Sequence, residues 1–202
     1  MHNRLTLGYM TDKALKSVSH EDANALTHIN LAFGVIRDGL LDMSRLPNIR
    51  EIDRIRDYNA TLKIVLSIGG WGAGGFSPMV GREDRRAAFI ESCAKAVQTY
   101  GLDGIDIDWE YPCLDWAGIE STPQDKENFS LLLEGLRGAL GAHKIVSIAA
   151  GAGHYFVENT QMERWKCGEL YLFQVLPSRQ KAEIYSYRTD IPLRYRIHRL
   201  LG

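Results

Sequence analysis

This sequence of 202 residues has little cysteine, no long apolar run and almost no net charge. Its three cysteines, Cys93, Cys113 and Cys167, lie far apart and form no C-x-x-C pair, so we expect reduced thiols rather than a disulfide framework or a zinc set. No apolar run approaches the roughly 18 residues of a membrane span. The formal net charge of −1 argues against nucleic acid or an acidic membrane surface as a partner.

The first residues also lack the features of a secretory signal. The segment "MHNRLTLGYM" enters a strand-like pattern at once, without the apolar region and small-residue cleavage site that such signals carry. Two interpretations stay open: the protein remains inside the cell, or its export signal is missing from this chain. Localisation is therefore left unassigned.

Five apolar segments give the clearest secondary-structure signal, since continuous apolar runs are typical of strands buried on both faces of a parallel sheet. The predicted strands span residues 4–10, 27–36, 62–70, 101–111 and 144–152. Apolar residues at helical spacing predict helices over residues 46–59, 82–100 and 123–140. Gly101 is expected to stop the second helix, and Thr122 to cap the third with Pro123 at its first position.

This alternation of strands and helices predicts repeated β-α units around a parallel sheet. The pattern alone does not separate an open doubly wound sheet from a (β/α)8 barrel. In both folds, functional residues lie at the C-terminal ends of the strands. The segments that follow the third and fourth predicted strands are therefore the ones to inspect.

The third predicted strand is followed by "GGWGAGGF", in which Gly70, Gly72 and Gly75 match the dinucleotide fingerprint G-x-G-x-x-G. Three features disfavour nucleotide binding. The match follows the third strand instead of the first, Pro78 and the charged run after it place the helix start late, and bulky Trp71 stands where a diphosphate needs bare backbone. We favour a flexible loop that carries Trp71 over a binding cleft, with a purely structural loop as the alternative.

The fourth predicted strand contains "DGIDIDWEYP", an apolar run loaded with acids. Because side chains alternate along a strand, Asp106, Asp108 and Glu110 share one face. The opposite face carries Ile105, Ile107 and Trp109. Asp103 has the other parity, so we expect it to be the structural residue among the four acids. A metal site is disfavoured because no histidine lies nearby in sequence, and a solvated edge is disfavoured because apolar residues interleave the acids.

Three like charges on a low-dielectric face cannot all ionise cheaply, so we expect at least one proton to be retained near neutral pH. A carboxylic acid that stays protonated is what a general acid requires. Glu110 lies nearest the open end of the strand and is the candidate proton donor. Asp106 and Asp108 are expected to form a coupled pair that shares a proton behind it.

The placement of all visible acids on one strand bears on the substrate. A conventional retaining glycosidase needs a second carboxylate about 5–5.5 Å from the acid, across the sugar ring. One alternative is a substrate that supplies its own nucleophile through a 2-acetamido group. In that scheme Asp108 orients the acetamide N–H, and Glu110 protonates the leaving oxygen and later activates water. Neither a metal nor a cofactor is expected.

These motifs resemble a known family. "DGIDIDWEYP" matches the D-x-x-D-x-D-x-E signature of family 18 glycoside hydrolases, the chitinase family, and "LSIGGW" is similar to its S-x-G-G motif. The resemblance extends over about residues 4–165. It implies a (β/α)8 barrel of the TIM type, an open cleft, and hydrolysis of chitin or N-acetylglucosamine oligomers.

The resemblance also implies residue roles. Glu110 would be the acid/base, Asp108 the acetamide partner and Asp106 its proton-sharing neighbour. The implied substrate contacts are Trp71, Gly70, Tyr111, Tyr9 and Phe33. The implied structural motif residues are Asp103, Ser67 and Gly69.

The chain departs from the family after about residue 165. The family's Met-x-Tyr-Asp motif and the later tryptophan floor of its cleft do not appear. Residues 168–202 contain six basic and three acidic side chains, against 18 basic and 22 acidic in the rest. We therefore expect an incomplete barrel of about five β/α units, with residues 1–167 as a partial catalytic domain and residues 168–202 as an atypical basic tail without strand–helix alternation.

Such a chain is expected to be a truncated or frame-shifted product with an exposed sheet edge that allows self-association. The leading functional hypothesis is a chitinase by lineage, with the activity of this chain in doubt. Three alternatives stay open: an endo-β-N-acetylglucosaminidase acting on N-glycan cores, a non-catalytic chitin-binding lectin, and an inactive fragment.

Overall fold

A computed structural model describes residues 5–149 and two further segments, residues 170–174 and 183–186, each of which is a strand. All eight strands belong to one sheet. They are β1 (Leu7–Thr11), β2 (His28–Arg37), β3 (Leu40–Asp42), β4 (Lys63–Gly69), β5 (Gly104–Asp108), β6 (Ile145–Ala149), β7 (Leu170–Gln174) and β8 (Glu183–Ser186). The first five parallel strands correspond to the five predicted segments, with ends shifted by up to three residues.

The order of the main sheet is β1-β2-β4-β5-β6-β7-β8. Every pair from β1 to β7 is parallel, whereas β3 pairs antiparallel with β2 and β8 antiparallel with β7. This parallel order is that of part of a (β/α)8 barrel, the fold that the resemblance implied. Beyond the five predicted strands, the structure adds β7 and β8 within residues 168–202, and the short apolar run around Leu172 pairs with Ile148 of β6.

Five α-helices and one 3-10 helix connect the described strands. Their bounds are Asp12–Ser17 (3-10), His20–Ala25 (α1), Glu51–Tyr58 (α2), Phe76–Val80 (α3), Glu83–Tyr100 (α4) and Asp125–Leu140 (α5). Gly101 ends α4 with a φ of 61°, as predicted. None of the described helices is long and apolar enough to cross a membrane.

Two helix starts differ from the predictions. The short helix α3 begins directly after Gly75, so the expectation of a late helix start was wrong there. Helix α5 begins at Asp125 with Gln124 as its flanking residue, two positions later than predicted. The reason is that the Asp125 carboxylate turns inward and accepts hydrogen bonds from the Thr122 N–H (2.8 Å) and the Ser77 hydroxyl (2.7 Å).

The main core lies between the outer face of the sheet and the helices. Ile105 and Ile107 of β5 are fully buried in it. Trp109 stacks on Phe76 of α3 at 5.2 Å between ring centroids and meets the edge of Phe129 of α5 at 5.5 Å. The apolar half of the acidic segment therefore packs under helices, which leaves its acidic half on the inner face of the sheet.

Candidate active site

A layer of buried polar side chains crosses the inner face of the sheet. Asn30, Ser67, Asp106 and Ser147 have no exposed surface. The strand register explains the layer, since Ser67 of β4 and Ser147 of β6 both lie opposite Asp106 of β5. Side chains at paired positions of parallel strands point to the same face. Asp106 is therefore flanked by a hydroxyl on either side.

Three hydroxyl groups hold Asp106. Its Oδ1 accepts a hydrogen bond from Ser147 (2.6 Å), and its Oδ2 accepts one from Ser67 (2.7 Å) and one from Tyr9 (2.9 Å). Burial raises the pKa of Asp106, and the hydrogen bonds from Ser147, Ser67 and Tyr9 oppose this rise. Burial is the main reason that the pKa of Tyr9 lies far above its usual range, and the charges of Asp106 and Asp108 raise it further. Tyr9 therefore remains a hydrogen-bond donor.

Asp108 has fewer hydrogen-bond partners than Asp106 among the described residues. Only 3% of its surface is exposed, and its Oδ1 atom is buried with no hydrogen-bond partner among the described residues. Burial, then the charges of Asp106 and Glu110, raise the pKa of Asp108 to about 8. A hydrogen bond to Glu110 raises it further, because Asp108 is the donor while it holds the proton.

Glu110 lies two residues beyond the end of β5 and is half-buried. Burial raises the pKa of Glu110, and hydrogen bonds from Asp108 and Tyr111 oppose the rise. Asp108 thus shares a hydrogen bond with Glu110, while the charge of Asp106 also acts on Asp108. Both oxygens of Asp106 accept hydrogen bonds from neighbouring hydroxyls.

A cleft of about 780 Å³ opens at the C-terminal ends of β1, β2 and β4. Phe33, Gly70 and Trp71, three of the predicted substrate contacts, line it, and the indole of Trp71 is 66% exposed. The three acids do not line this cleft, but Asp108 adjoins it, because the Gly70 N–H donates to the Asp108 carbonyl at 2.9 Å. The other predicted contacts lie deeper: the Tyr9 hydroxyl bonds to Asp106, and half-buried Tyr111 bonds to Glu110.

Glycine is required where β4 meets the acidic segment. A Cβ atom on Gly69 would lie 2.1 Å from the carbonyl oxygen of Asp108, and Gly69 has a φ of 124°. Both the space and the backbone conformation therefore exclude other residues. The close approach fixes the end of β4, and with it the loop that carries Trp71, against the backbone of Asp108.

Asp103 lies at the opposite end of β5 from Asp108. Its carboxylate accepts hydrogen bonds from the Ile64 N–H (2.9 Å) and from Arg56 (3.0 Å), and Lys63 lies 3.4 Å away. These contacts tie β5 to β4 and α2. In the described part of the chain, no three His, Cys, Asp or Glu residues are grouped so as to hold a metal ion.

Two members of the buried polar layer were missed from the sequence. Ser147 is a lone hydroxyl in the apolar run "KIVSIAA", and Asn30 stands in "INLAF". Burial raises the pKa values of Tyr9 and Asp106, and the Asn30 amide opposes both rises, although neither amide atom meets hydrogen-bond geometry within the described residues. A single polar residue in a buried strand at the register of an acid is the signal that could have identified Ser147.

Comparison with known proteins gives a consistent result. The model of the family described as "Glycosyl hydrolases family 18" matches residues 6–170. Chitinase A1 of Niallia circulans is 34% identical over 128 residues, which cover 58% of this chain and 18% of that protein. A family 18 N-acetylglucosaminidase from Paenibacillus barengoltzii superposes with a TM-score of 0.77 at 43% identity, covering 79% of this chain and 49% of that one.

The chitinase domain of the spore coat protein CotE from Clostridium difficile superposes with a TM-score of 0.72 at 33% identity, covering 78% of this chain and 45% of that domain's chain. This chain therefore spans less than half the length of each of the three relatives. The matched part includes the buried polar layer and the acidic segment, as far as residue 170.

Proposed function

This chain belongs to glycosyl hydrolases family 18, and we propose that it hydrolyses β-1,4-linked N-acetylglucosamine chains such as chitin with retention of configuration. The acetamido oxygen of the substrate acts as the nucleophile. The observation that carries this proposal is the state of Asp108. One of its oxygens, Oδ1, is buried with no partner among the described residues, and the carboxyl group shares a hydrogen bond with Glu110.

Each group then has one task. The free Oδ1 atom of Asp108 accepts the acetamide N–H of the sugar, which aims the acetamide oxygen at C1. The proton shared by Asp108 and Glu110 moves to the glycosidic oxygen through Glu110, and the C1–oxygen bond breaks as the acetamide oxygen bonds to C1. Asp108 is left ionised beside the positive oxazolinium group. Water then attacks C1, the bond between C1 and the acetamide oxygen breaks so that the neutral acetamido group is restored, and Glu110 takes the proton of the water.

The remaining residues support this chemistry. Asp106, held by its three hydroxyl donors, lies behind Asp108, and its charge is one of the causes that raise the pKa of Asp108. Phe33 and Trp71 line the cleft and offer their ring faces to the apolar faces of sugars. Gly70 has no side chain, so the sugar chain can come close to its backbone. We assign substrate contacts also to Tyr111 and Tyr9, and structural roles to Asp103, Ser67 and Gly69.

The test is hydrolysis of tetra-N-acetylchitotetraose by the full chain and by Glu110→Gln, followed through the release of reducing ends. General acid catalysis contributes about 10²–10⁴-fold, so turnover should fall by at least about a hundredfold in the variant. Turnover that survives Glu110→Gln rejects the proton donor. Binding of the oligomer without turnover by the unaltered chain instead favours the lectin hypothesis, and absence of both favours the inactive fragment.

A second candidate is release of single N-acetylglucosamine units. The neighbour with 43% identity, described as an N-acetylglucosaminidase, favours this activity. The same reaction separates the two, because chromatography of early products shows dimers for chain cleavage and monomers for terminal release. Cleavage of an N-glycan core would be recognised by release of the glycan from a glycoprotein.

We also propose self-association through the sheet. Among the described strands β1 pairs with β2 alone, so its outer edge is open to another chain. Sedimentation velocity should show a dimer at micromolar concentration, and a monomer at all concentrations would contradict this proposal.

A further inference from the structure

We propose that the cleft at the ends of β1, β2 and β4 binds an amino-sugar chain that carries acidic groups, through Lys13, Arg37 and Arg45. This inference rests on the proposed function and deepens it, because it narrows the class of substrate. All three cationic side chains line the cleft and are exposed to solvent. Among the described residues that line the cleft, Asp12 is the single acid.

The three cations come from separate segments that meet at the cleft. Lys13 lies in the 3-10 helix directly after β1, Arg37 is the last residue of β2, and Arg45 lies in the loop between β3 and α2. The same cleft is lined by Phe33 and Gly70, which the proposed function assigns to the sugar. A sugar chain that occupies the cleft therefore passes these cations.

The acidic side chains nearby are already engaged by hydrogen bonds. Asp12 is 8% exposed, and its two oxygens accept the backbone N–H (2.9 Å) and the side-chain amide (2.6 Å) of Asn48. Asp42 accepts the Ser44 N–H at 2.8 Å and lies 3.1 Å from Nε of Arg37. These contacts also hold together the segments that carry the three cations, so binding need not order the backbone.

The positive charge of the cleft is not balanced by these acids. Within the described part of the chain, Lys13 and Arg45 form no ion pair, and Arg37 forms one through Nε alone. Hydrogen bonds from Ser44 lower the pKa of Asp42, and the charges of Arg37 and Arg45 lower it further, so both guanidinium groups act on one carboxylate. One carboxylate cannot neutralise both groups, and positive charge remains for a ligand.

The chemistry of the cations selects the ligand. Guanidinium and ammonium groups pair with carboxylates, and positive charges that line a concave site attract anions to it. A neutral chain of N-acetylglucosamine gains no ion pair there, whereas an acidic chain does. Two sources of the carboxylate fit: a lactyl ether on the amino sugar, or a uronic acid that alternates with amino sugars. Both chains keep the 2-acetamido group that the proposed reaction requires.

The test measures binding by the Glu110→Gln variant, so that no ligand is consumed. Titration calorimetry compares neutral tetra-N-acetylchitotetraose with two acidic tetrasaccharides, one with 3-O-lactyl groups on alternate sugars and one in which N-acetylglucosamine alternates with glucuronic acid. At about 20 mM salt, at least one acidic tetrasaccharide should bind about tenfold more tightly than the neutral one, as two exposed ion pairs would give. The one that does so identifies the source of the carboxylate. Screening at about 0.5 M salt should reduce this preference to within about threefold.

Charge variants in the same background locate the site. Arg45→Gln and Lys13→Gln should each lower the preference for the acidic tetrasaccharide about threefold. Arg45→Lys keeps the charge and should retain most of the preference. Arg85→Gln is the matched control, because it removes an exposed cation of α4 that does not line the cleft, and it should leave the preference unchanged.

The outcomes separate this inference from the proposed function. Equal binding of the three tetrasaccharides, or an equal loss of preference in Arg45→Gln and Arg85→Gln, overturns the inference, while cleavage of the neutral tetramer by the unaltered chain leaves the proposed function standing. A preference for an acidic tetrasaccharide without cleavage of any of the three by the unaltered chain overturns the proposed function and leaves the cationic cleft as a binding site. Absence of binding to all three overturns both.

Discussion

The two faces of β5 are equally buried, yet burial has opposite consequences on them. On the outer face Ile105 and Ile107 are fully buried under the helices, where removal from water stabilises the fold. On the inner face Asp106 and Asp108 are 0% and 3% exposed, and burial raises the pKa of both carboxyl groups. One face of the strand therefore stabilises the fold, whereas the other face lowers stability and carries the carboxyl groups of the candidate active site.

A second contrast lies within the inner face. Asp106 has three hydroxyl donors, whereas Asp108 has an oxygen without a partner among the described residues. The hydrogen bonds offset the cost of burying the first carboxyl group, and the second is left to take up a proton or a ligand. Asp106 and Asp108 are buried to nearly the same extent, so the number of hydrogen-bond donors around each carboxyl group decides which one is available to a substrate.

The largest expected effect on stability comes from the outer face. Ile107→Ala removes a fully buried side chain from the core and should lower the free energy of unfolding by about 2–5 kcal/mol. Denaturant unfolding followed by circular dichroism measures the change. Leu131→Ala, on the exposed side of α5, is the matched control and should cost less than about 1 kcal/mol. A loss for Ile107→Ala as small as that of the control would remove the contrast between the faces.

A smaller effect is expected on the inner face. Ser147→Ala deletes the donor to Asp106 Oδ1 and should lower the free energy of unfolding by about 1–3 kcal/mol. It should also raise the pKa of Asp106 further, so the loss should grow as the pH rises. Ser17→Ala, which removes an exposed hydroxyl bonded within its own turn, should cost only a few tenths of a kcal/mol. Equal losses in the two variants would mean that Asp106 does not depend on Ser147.

Much of this organisation could be predicted from the sequence because it depends on local periodicity. Alternation along "DGIDIDWEYP" separates Ile107 from Asp108 before any neighbour is known, and the strand face then follows. The apolar runs likewise predicted all of the first five parallel strands. What local pattern cannot supply is the partner across the sheet. The pairing of Ser147 with Asp106 depends on the register of two strands about 40 residues apart in sequence.

The misplaced elements have the same origin. Helix α5 starts late because Asp125 makes tertiary hydrogen bonds to Ser77, which no cap rule for the isolated segment includes. Strand β7 was missed because a short apolar run does not by itself predict a strand, and β7 forms by pairing with β6. The partners of Asp106 could not be predicted for a related reason, since its three hydroxyl donors come from three other strands.

The central claim is that the inner face of β5 keeps a proton at neutral pH. Carbon-13 NMR of the carboxyl groups, with Asp108 assigned by its absence in Asp108→Asn, tests this most directly. The pKa of Asp108 is raised to about 8, above the reference value of about 3.9. Its carboxyl resonance should therefore remain that of the neutral acid at pH 6 and change as the pH rises through about 8. A resonance that titrates near pH 4 would contradict the account.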